Sequence, residues 1–343
     1  MNDSSIEAKT LSSDVVIATR NRPEPLRACL ESLSSQIRKP KKVIIVDSSE
    51  DDATAQMVDH ARTGIEFPID YERTTLKSAA RQRNMGAAKA TNDIVVFLDD
   101  DVILEDAFLS EVIQVFESDA MCTIGGVSGT ILNQIYTDPR GLNRALLGLC
   151  FGEWTGSYAG KLLGPAINFL PADTPSTVQE VEWLPSTCTA YGRHVFMSYR
   201  FGDDFDGYSF AEDVHLSARV RKTHRLINTT RARVFHHDLG KSTHKDWKKL
   251  GESQVVNRYE IMVNVLGRKR LLDHARLWGY EIVYCSLAWL AAGVTANRLA
   301  TLVKLMHGKL LGFSKIWRGV PQRAEWQSAT DGVSPAVKDK CLR

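Results

Sequence analysis

The chain has 343 residues, 43% of them hydrophobic, and a formal net charge of +2. That size and apolar share suffice for one large core or two smaller ones and exclude bulk disorder. A charge so close to neutral, with no basic block before the C-terminal third, excludes a nucleic-acid partner.

The N-terminal Met1-Asn2-Asp3-Ser4-Ser5 is polar and no apolar h-region follows it, so no secretory signal is visible. The expected location is the cytoplasm, with any membrane contact at the inner face of the cytoplasmic membrane. Cys29, Cys122, Cys150, Cys188, Cys285 and Cys341 contain no C-x-x-C pair and read as buried thiols rather than disulfides or zinc ligands.

Val15-Val16-Ile17-Ala18 reads as a buried strand, and Leu26, Leu30 and Leu33 recur at helical spacing behind Pro23 and Pro25. Val43-Ile44-Ile45-Val46 is a second strand, ending at Asp47-Ser48-Ser49, with Ala53, Met57, Val58 and Ala61 as a helical face after it. Ser78 is an N-cap for a helix running through Lys89. Ile94-Val95-Val96-Phe97-Leu98 is the third strand, and it stops at Asp99-Asp100-Asp101. Such alternation predicts an α/β fold with a mostly parallel, Rossmann-like twisted sheet whose strand ends, beginning with Thr19-Arg20-Asn21-Arg22, line one crevice.

Three adjacent carboxylates repel one another, so keeping them ionised requires a cation, and oxygen ligation suits hard Mg²⁺ or Mn²⁺. A solvated acidic turn ahead of the helix at Phe108 is the competing account. No G-x-G-x-x-G or G-x-x-x-x-G-K follows the first strand, so neither a dinucleotide fold nor a P-loop is supported.

Beyond Gly125 the pattern loosens, and Gly141 to Pro175 reads as long loops around an acceptor site. Order returns at Val181-Glu182-Trp183-Leu184, at Thr187 to Val195, and at Phe205 to Leu216, with Leu216 and Val220 on a helix face. Near the C-terminus, Ile282 to Ala296 is almost continuously apolar but short for a bilayer span of roughly 20 residues. Leu299, Leu302, Val303, Met306 and Leu310, with Lys304 and Lys309 between them, suit either a basic amphipathic helix on an anionic membrane or a helix packed on the core.

Val15-Val16-Ile17-Ala18-Thr19-Arg20-Asn21-Arg22, Val46-Asp47-Ser48-Ser49, Gln82-Arg83-Asn84-Met85-Gly86, Phe97-Leu98-Asp99-Asp100-Asp101-Val102 and Glu212-Asp213-Val214-His215-Leu216 occur in that order. Together they resemble the family 2 inverting glycosyltransferases of GT-A fold, over roughly Asp14 to Leu266. The resemblance implies a nucleotide-sugar-binding half (14–124) and an acceptor-binding half (125–266); an N-terminal tail (1–13), a helical extension (267–320) that either associates with a membrane or packs on the core, and a C-terminal tail (321–343) complete the expected domain order.

It implies that Asp47 accepts a hydrogen bond from the nucleobase, that Thr19 and Arg20 border the base, and that Arg83 lies against the nucleotide. Asp101 would bind the Mn²⁺ or Mg²⁺ on the donor diphosphate, with Asp99 or Asp100 at the ribose. In Val234-Phe235-His236-His237-Asp238, His236, or alternatively His237, would reach the metal or diphosphate. Asp213 would be the base that takes the acceptor's proton and Glu212 would order it, while Asp203, Asp204 and Asp206 are weaker candidates.

Two departures bear on the acceptor. The Gln-x-x-Arg-Trp signature of processive synthases is replaced by Gln254-Val255-Val256-Asn257-Arg258-Tyr259, and Ser186-Thr187 stands where glycine is common. The expected reaction is therefore metal-dependent inverting transfer of one sugar, hexosyl in type, from a nucleotide-sugar donor to a glycan or polyprenyl-linked acceptor in cell-surface polysaccharide or glycoconjugate synthesis. A sugar-phosphate nucleotidyltransferase, or a non-catalytic glycan-binding scaffold of the same fold, is the alternative.

Overall fold

The computed structural model describes residues 10–134, 136–173, 178–203, 205, 209–237, 246–291 and 296–319, with 286–291 and 296–298 described by their backbone. Asp204, Asp206, Asp238 and the tail at 321–343 lie outside the described residues.

The first half repeats a strand–helix unit: β1 (Ser13–Thr19), α1 (Pro23–Ser34), β2 (Lys42–Asp47), α2 (Ala53–Ala61), β3 (Ile69–Arg73), α3 (Ala79–Ala88) and β4 (Ile94–Asp99). There follow β5 (Val102–Leu104), α4 (Phe108–Glu117), β6 (Ile124–Ile131), α5 (Gly141–Phe151), β7 (Leu162–Leu163), β8 (Ile167–Asn168), β9 (Val178–Val181), β10 (Cys188–Gly192), α6 (Arg193–Tyr199), α7 (Glu212–Val220) and β11 (Arg225–His236). The chain continues through α8 (Trp247–Glu260), a π-helical turn at Ile261–Val265, α9 (Leu271–Ala291) and α10 (Ala296–Trp317).

The main sheet runs β3-β2-β1-β4-β10-β6-β11-β5, with β9 added beside β11. Its first four strands are parallel, as buried apolar runs joined by helices require; β10 then enters antiparallel to both neighbours. One core packs Val15, Ile17, Ile45 and Val96 against Leu26, Leu30 and Leu33 of α1 and Phe108 and Val112 of α4. On the other face, Val16, Phe97 and Tyr191 pack with Phe196, Phe201 and Leu216.

The expected loops at Gly141 to Pro175 are corrected in part: α5 and the β7–β8 hairpin occupy much of that stretch. Glycines with positive φ at 141, 152, 160 and 164 mark the turns around these short elements, and so break up any visible period. Strand β6 was hidden in the same way, because its sequence Ile-Gly-Gly-Val-Ser-Gly-Thr-Ile carries three glycines. A Cβ at Gly129 would lie 2.6 Å from the Ala232 carbonyl oxygen, so β11 approaches too closely for any side chain there.

Candidate active site at the ends of the parallel strands

Register brings the polar strand ends together. Thr19 lies opposite Asp47, and Ala18 opposite Asp99, across adjacent strands β2, β1 and β4. Helix α3 is drawn onto this edge by Gln82, whose Nε2 donates to the carbonyls of Thr19 (3.0 Å) and Val46 (2.8 Å). The approach is close: a Cβ at Gly86 would meet Val16 Cγ1 at 2.4 Å. Ser78 caps α3, accepting from the Arg81 amide, and its hydroxyl donates to Phe205 O at 2.7 Å.

The aspartate triplet is a network, not a solvated turn. Asp100 accepts from the Thr19 hydroxyl at 2.6 Å, and Arg22 spans the pair, with Nη1 2.8 Å from Asp100 and Nη2 2.7 Å from Asp101. His236 reaches Asp101 because β5, the strand directly after the triplet, pairs with the end of β11 in the register His236↔Val102. Beyond a register shift between Asn228 and Arg233, β11 pairs with β6 on one side and β5 on the other. His236 Nε2 then sits 3.0 Å from Asp101 Oδ1. His237 contributes only its backbone amide, to the Asp101 carbonyl at 2.8 Å, while its ring lies near Phe235.

Ligand atoms of Asp99, Asp101 and His236 all lie within 4.8 Å of one another. Two carboxylates and an imidazole suit a divalent cation of borderline hardness, Mn²⁺ better than Mg²⁺. His236 Nδ1 is 3.1 Å from Gln134 Nε2. Turned over, the Gln134 amide would accept from Nδ1–H and free the Nε2 lone pair for a cation. Burial works to raise the Asp101 carboxyl, but His236 and Arg22 outweigh it and hold it below its ordinary value. The His236 imidazole is lifted in return, its burial outweighed by the Asp101 carboxylate. Asp100 goes the other way: burial exceeds the help of Arg22 and Thr19 and pushes it up to about 7. Of the two residues expected at the ribose, Asp99 has the more exposed carboxylate.

Glu212 and Asp213 open α7, where the helix dipole favours negative charge. Arg83 joins them to the triplet: Nη2 donates to Asp99 at 2.7 Å and Nη1 to Glu212 at 2.8 Å, with all three groups sunk below the surface or at its edge. Asp213 accepts from its neighbour's amide, Val214 N, at 2.7 Å, and Ser186 N approaches its other oxygen at 3.4 Å. Burial pushes Glu212 up to about 8 despite Arg83, and raises Asp213 as well.

Asp47 is fully buried, one oxygen taken by the Tyr71 hydroxyl at 2.7 Å and the other by the Ser49 amide at 2.8 Å and the Ser49 hydroxyl. Its immediate neighbours Ser48 and Ser49 line a cavity of about 400 Å³ together with Glu50, Arg73, Thr74, Thr75 and Lys77. Arg20 stands at this side of the crevice, paired with Glu50 at 2.6 Å. Asp203 lies away from the triplet, accepting from Asn84 and Arg81 of α3.

Sequence reasoning placed Arg22 only among the strand-end residues, although it is the main cation of the triplet. Its position at the N-cap of α1, ahead of Pro23, was the available signal. Gln134 carried no signal, since it acts through a neighbour distant in sequence, and Ser186 stood out only as a departure from glycine.

Residues 14–146 match the model of the family described as Glycosyl transferase family 2. A Haemophilus influenzae protein described as "Uncharacterized glycosyltransferase" is 32% identical over 104 residues, which cover 30% of this chain and 34% of that protein. The chain thus spans about a third of the length of the curated relative it matches. Among solved structures, the mannosyltransferase PcManGT from Pyrobaculum calidifontis, in complex with GDP-Man and Mn²⁺, superposes with a TM-score of 0.55 at 16% identity, covering 89% of this chain and 88% of that one. GalNAc-T7 with UDP, GalNAc and Mn²⁺ gives 0.56 at 16% identity over 75% and 48% of the two chains, and S. aureus TarS gives 0.53 at 14% over 88% and 81%. These three likenesses concern the fold. Residues 14–146 thus match the family 2 glycosyltransferase model, and the sheet and flanking helices are those of the GT-A fold.

Proposed function

We propose that this protein transfers one sugar from a nucleotide-diphospho-sugar to a glycan or polyprenyl-linked acceptor, with inversion, in the synthesis of a cell-surface polysaccharide or glycoconjugate. The observation that carries the reading is the two-armed contact of Arg83, which joins Asp99 of the triplet to Glu212 of the acid pair and so makes one site of two clusters.

Asp99, Asp101 and His236 would hold Mn²⁺ or Mg²⁺, which supplies Lewis-acid stabilisation of charge on the departing nucleoside diphosphate. Arg22 adds fixed positive charge beside the same carboxylates, and Arg83 adds more on the side of the acid pair. The cavity below β2 takes the donor's base, with Arg20 and Thr19 bordering it and Asp47 fixing Ser49 from behind. On the opposite side, Asp213 takes the proton of the acceptor hydroxyl as it attacks the anomeric carbon. Glu212, anchored on Arg83 with Ser186 Oγ 3.4 Å away, holds the start of α7 in place. The helical extension brings the acceptor side to a membrane face.

The test is release of nucleoside diphosphate across a panel of nucleotide-sugars with Mn²⁺, followed by the anomeric configuration of the product. One donor should be turned over, with chelator abolishing the reaction and the product inverted. No turnover of any nucleotide-sugar in Mn²⁺ or Mg²⁺ would overturn the reading.

A further inference from the structure

Helices α9 and α10 are antiparallel partners: Trp278 stacks on Phe313 with ring centroids 3.7 Å apart, and Glu281 pairs with Lys309 one turn along. This pairing uses up one side of each helix. The Lys309 ammonium, which a sequence pattern places between lipid-facing leucines, is buried against Glu281, itself bonded to Arg258 of α8 at 2.8 Å. A second side of α10 presses on α8, where a Cβ at Gly308 would meet the Lys248 carbonyl oxygen at 1.9 Å. A second side of α9 meets α5, through Tyr280 against Phe151.

Among the described residues both helices also expose apolar side chains. Leu271, Trp278 and Ile282 recur at intervals of seven and four on α9 and form one stripe at 100° per residue. Leu299, Val303, Leu310 and Trp317 do the same on α10. The stripes merge, because Trp278 touches Phe313, and Phe313 lies three residues after Leu310 and four before Trp317. The two helices therefore share a single apolar face, with Leu271 89% and Trp317 92% exposed.

Exposed cations flank this face: Lys304 lies on α10, Lys315 on the same helix is paired with Glu252, Lys269 and Arg270 precede α9, and Arg318 follows α10. The antiparallel register puts Lys269 and Arg270 at the same end as Trp317 and Arg318. A second copy would bring the same acid-free helix against it, whereas anionic lipid headgroups complement it. Among the described residues no helix is long and apolar enough to cross a membrane.

We propose that the shared face of α9 and α10 docks on an anionic lipid bilayer, with Trp278, Leu310 and Trp317 entering the boundary between headgroups and acyl chains and the flanking cations meeting lipid phosphates. The proposal rests on the membrane contact proposed above and not on the sugar transfer, because binding is read without donor or acceptor. The experiment is flotation of the full chain with vesicles of phosphatidylcholine alone and of phosphatidylcholine with phosphatidylglycerol. Binding is expected to the mixed vesicles and to weaken with salt. Leu310→Glu and Trp317→Glu, both at exposed positions, should each lower partitioning on the order of tenfold. In the unmodified chain, brominated phosphatidylglycerol should quench tryptophan fluorescence, a reading independent of how the variants fold. Absence of binding to mixed vesicles overturns the proposal. So does a concentration-dependent dimer that these two substitutions dissociate, which would assign the face to a second copy.

Discussion

The aspartate triplet and the acid pair are made of the same chemical group, yet the fold treats them differently. At the triplet, Arg22 and His236 lie in direct contact with Asp101 and outweigh its burial, so that carboxylate stays ionised and suited to a cation. At the pair, Arg83 is the bonded cation, burial prevails, and both acids are raised, Glu212 to about 8. The difference teaches that a carboxylate's task is set by how many positive partners the tertiary structure delivers to it, and not by its own identity. Asp101 is held below its ordinary value, whereas Asp100, Glu212 and Asp213 are raised by burial.

The sharpest way to break this comparison is Asp101→Ala. The variant loses the residue that His236 and Arg22 both grip, and we expect loss of metal-dependent donor binding by calorimetry together with loss of transfer. Full activity in Mn²⁺ would remove the cation-holding role from the triplet.

Asp213→Asn probes the other cluster. Transfer should fall about 10²–10⁴-fold while nucleotide affinity and its metal dependence stay as they are, because the amide keeps the shape but accepts no proton. Normal turnover of this variant alongside a dead Glu212→Gln would reassign the base.

Arg83→Lys tests the link between the clusters. It retains the charge, but a single ammonium cannot reproduce the fork that spans Asp99 and Glu212, and a shift of either group by an ångström is expected to cost about 10²-fold in turnover. Wild-type turnover with lysine would mean that the two clusters act independently.

The smallest effect is in the pH profile. With Asp213 as the proposed base, which must be ionised to work, turnover is expected to rise as pH climbs through the pKa of its carboxyl. Since burial raises that pKa, the acid limb should lie above the ordinary carboxylate value of about 4. A limb at or below that value would show that the Asp213 carboxyl is solvated in the working enzyme.

Much of the parallel half was legible because its signals are local. Runs such as Val43-Ile44-Ile45-Val46 are apolar on both faces, stop at a polar residue, and are followed by a helical period, and the observed β2 and α2 sit there. Ser78 was readable as a cap for the same reason, since it bonds an amide three residues on. Strand β3 escaped notice: it is an edge strand whose Asp70, Glu72 and Arg73 dilute its apolar signal. Strand β6 and helix α5 escaped because glycines interrupt them.

The sequence by itself determined the crevice: three strands of one parallel sheet, each ending in polar residues, must present those ends along one edge. It also supplied the order of motifs that resembles the family 2 glycosyltransferases. Only the tertiary structure decided what meets what at that edge. The pairing of β11 with β5 brings His236 to Asp101 across 135 positions, and the packing of α3 on β1 and β2 places Arg83 between Asp99 and Glu212. The α9–α10 contact buries Lys309 and leaves Trp317 outside, although both belong to one amphipathic pattern. Periodicity along a chain reports how often a side is buried, whereas the identity of the neighbour depends on strand register and helix packing between segments far apart in sequence.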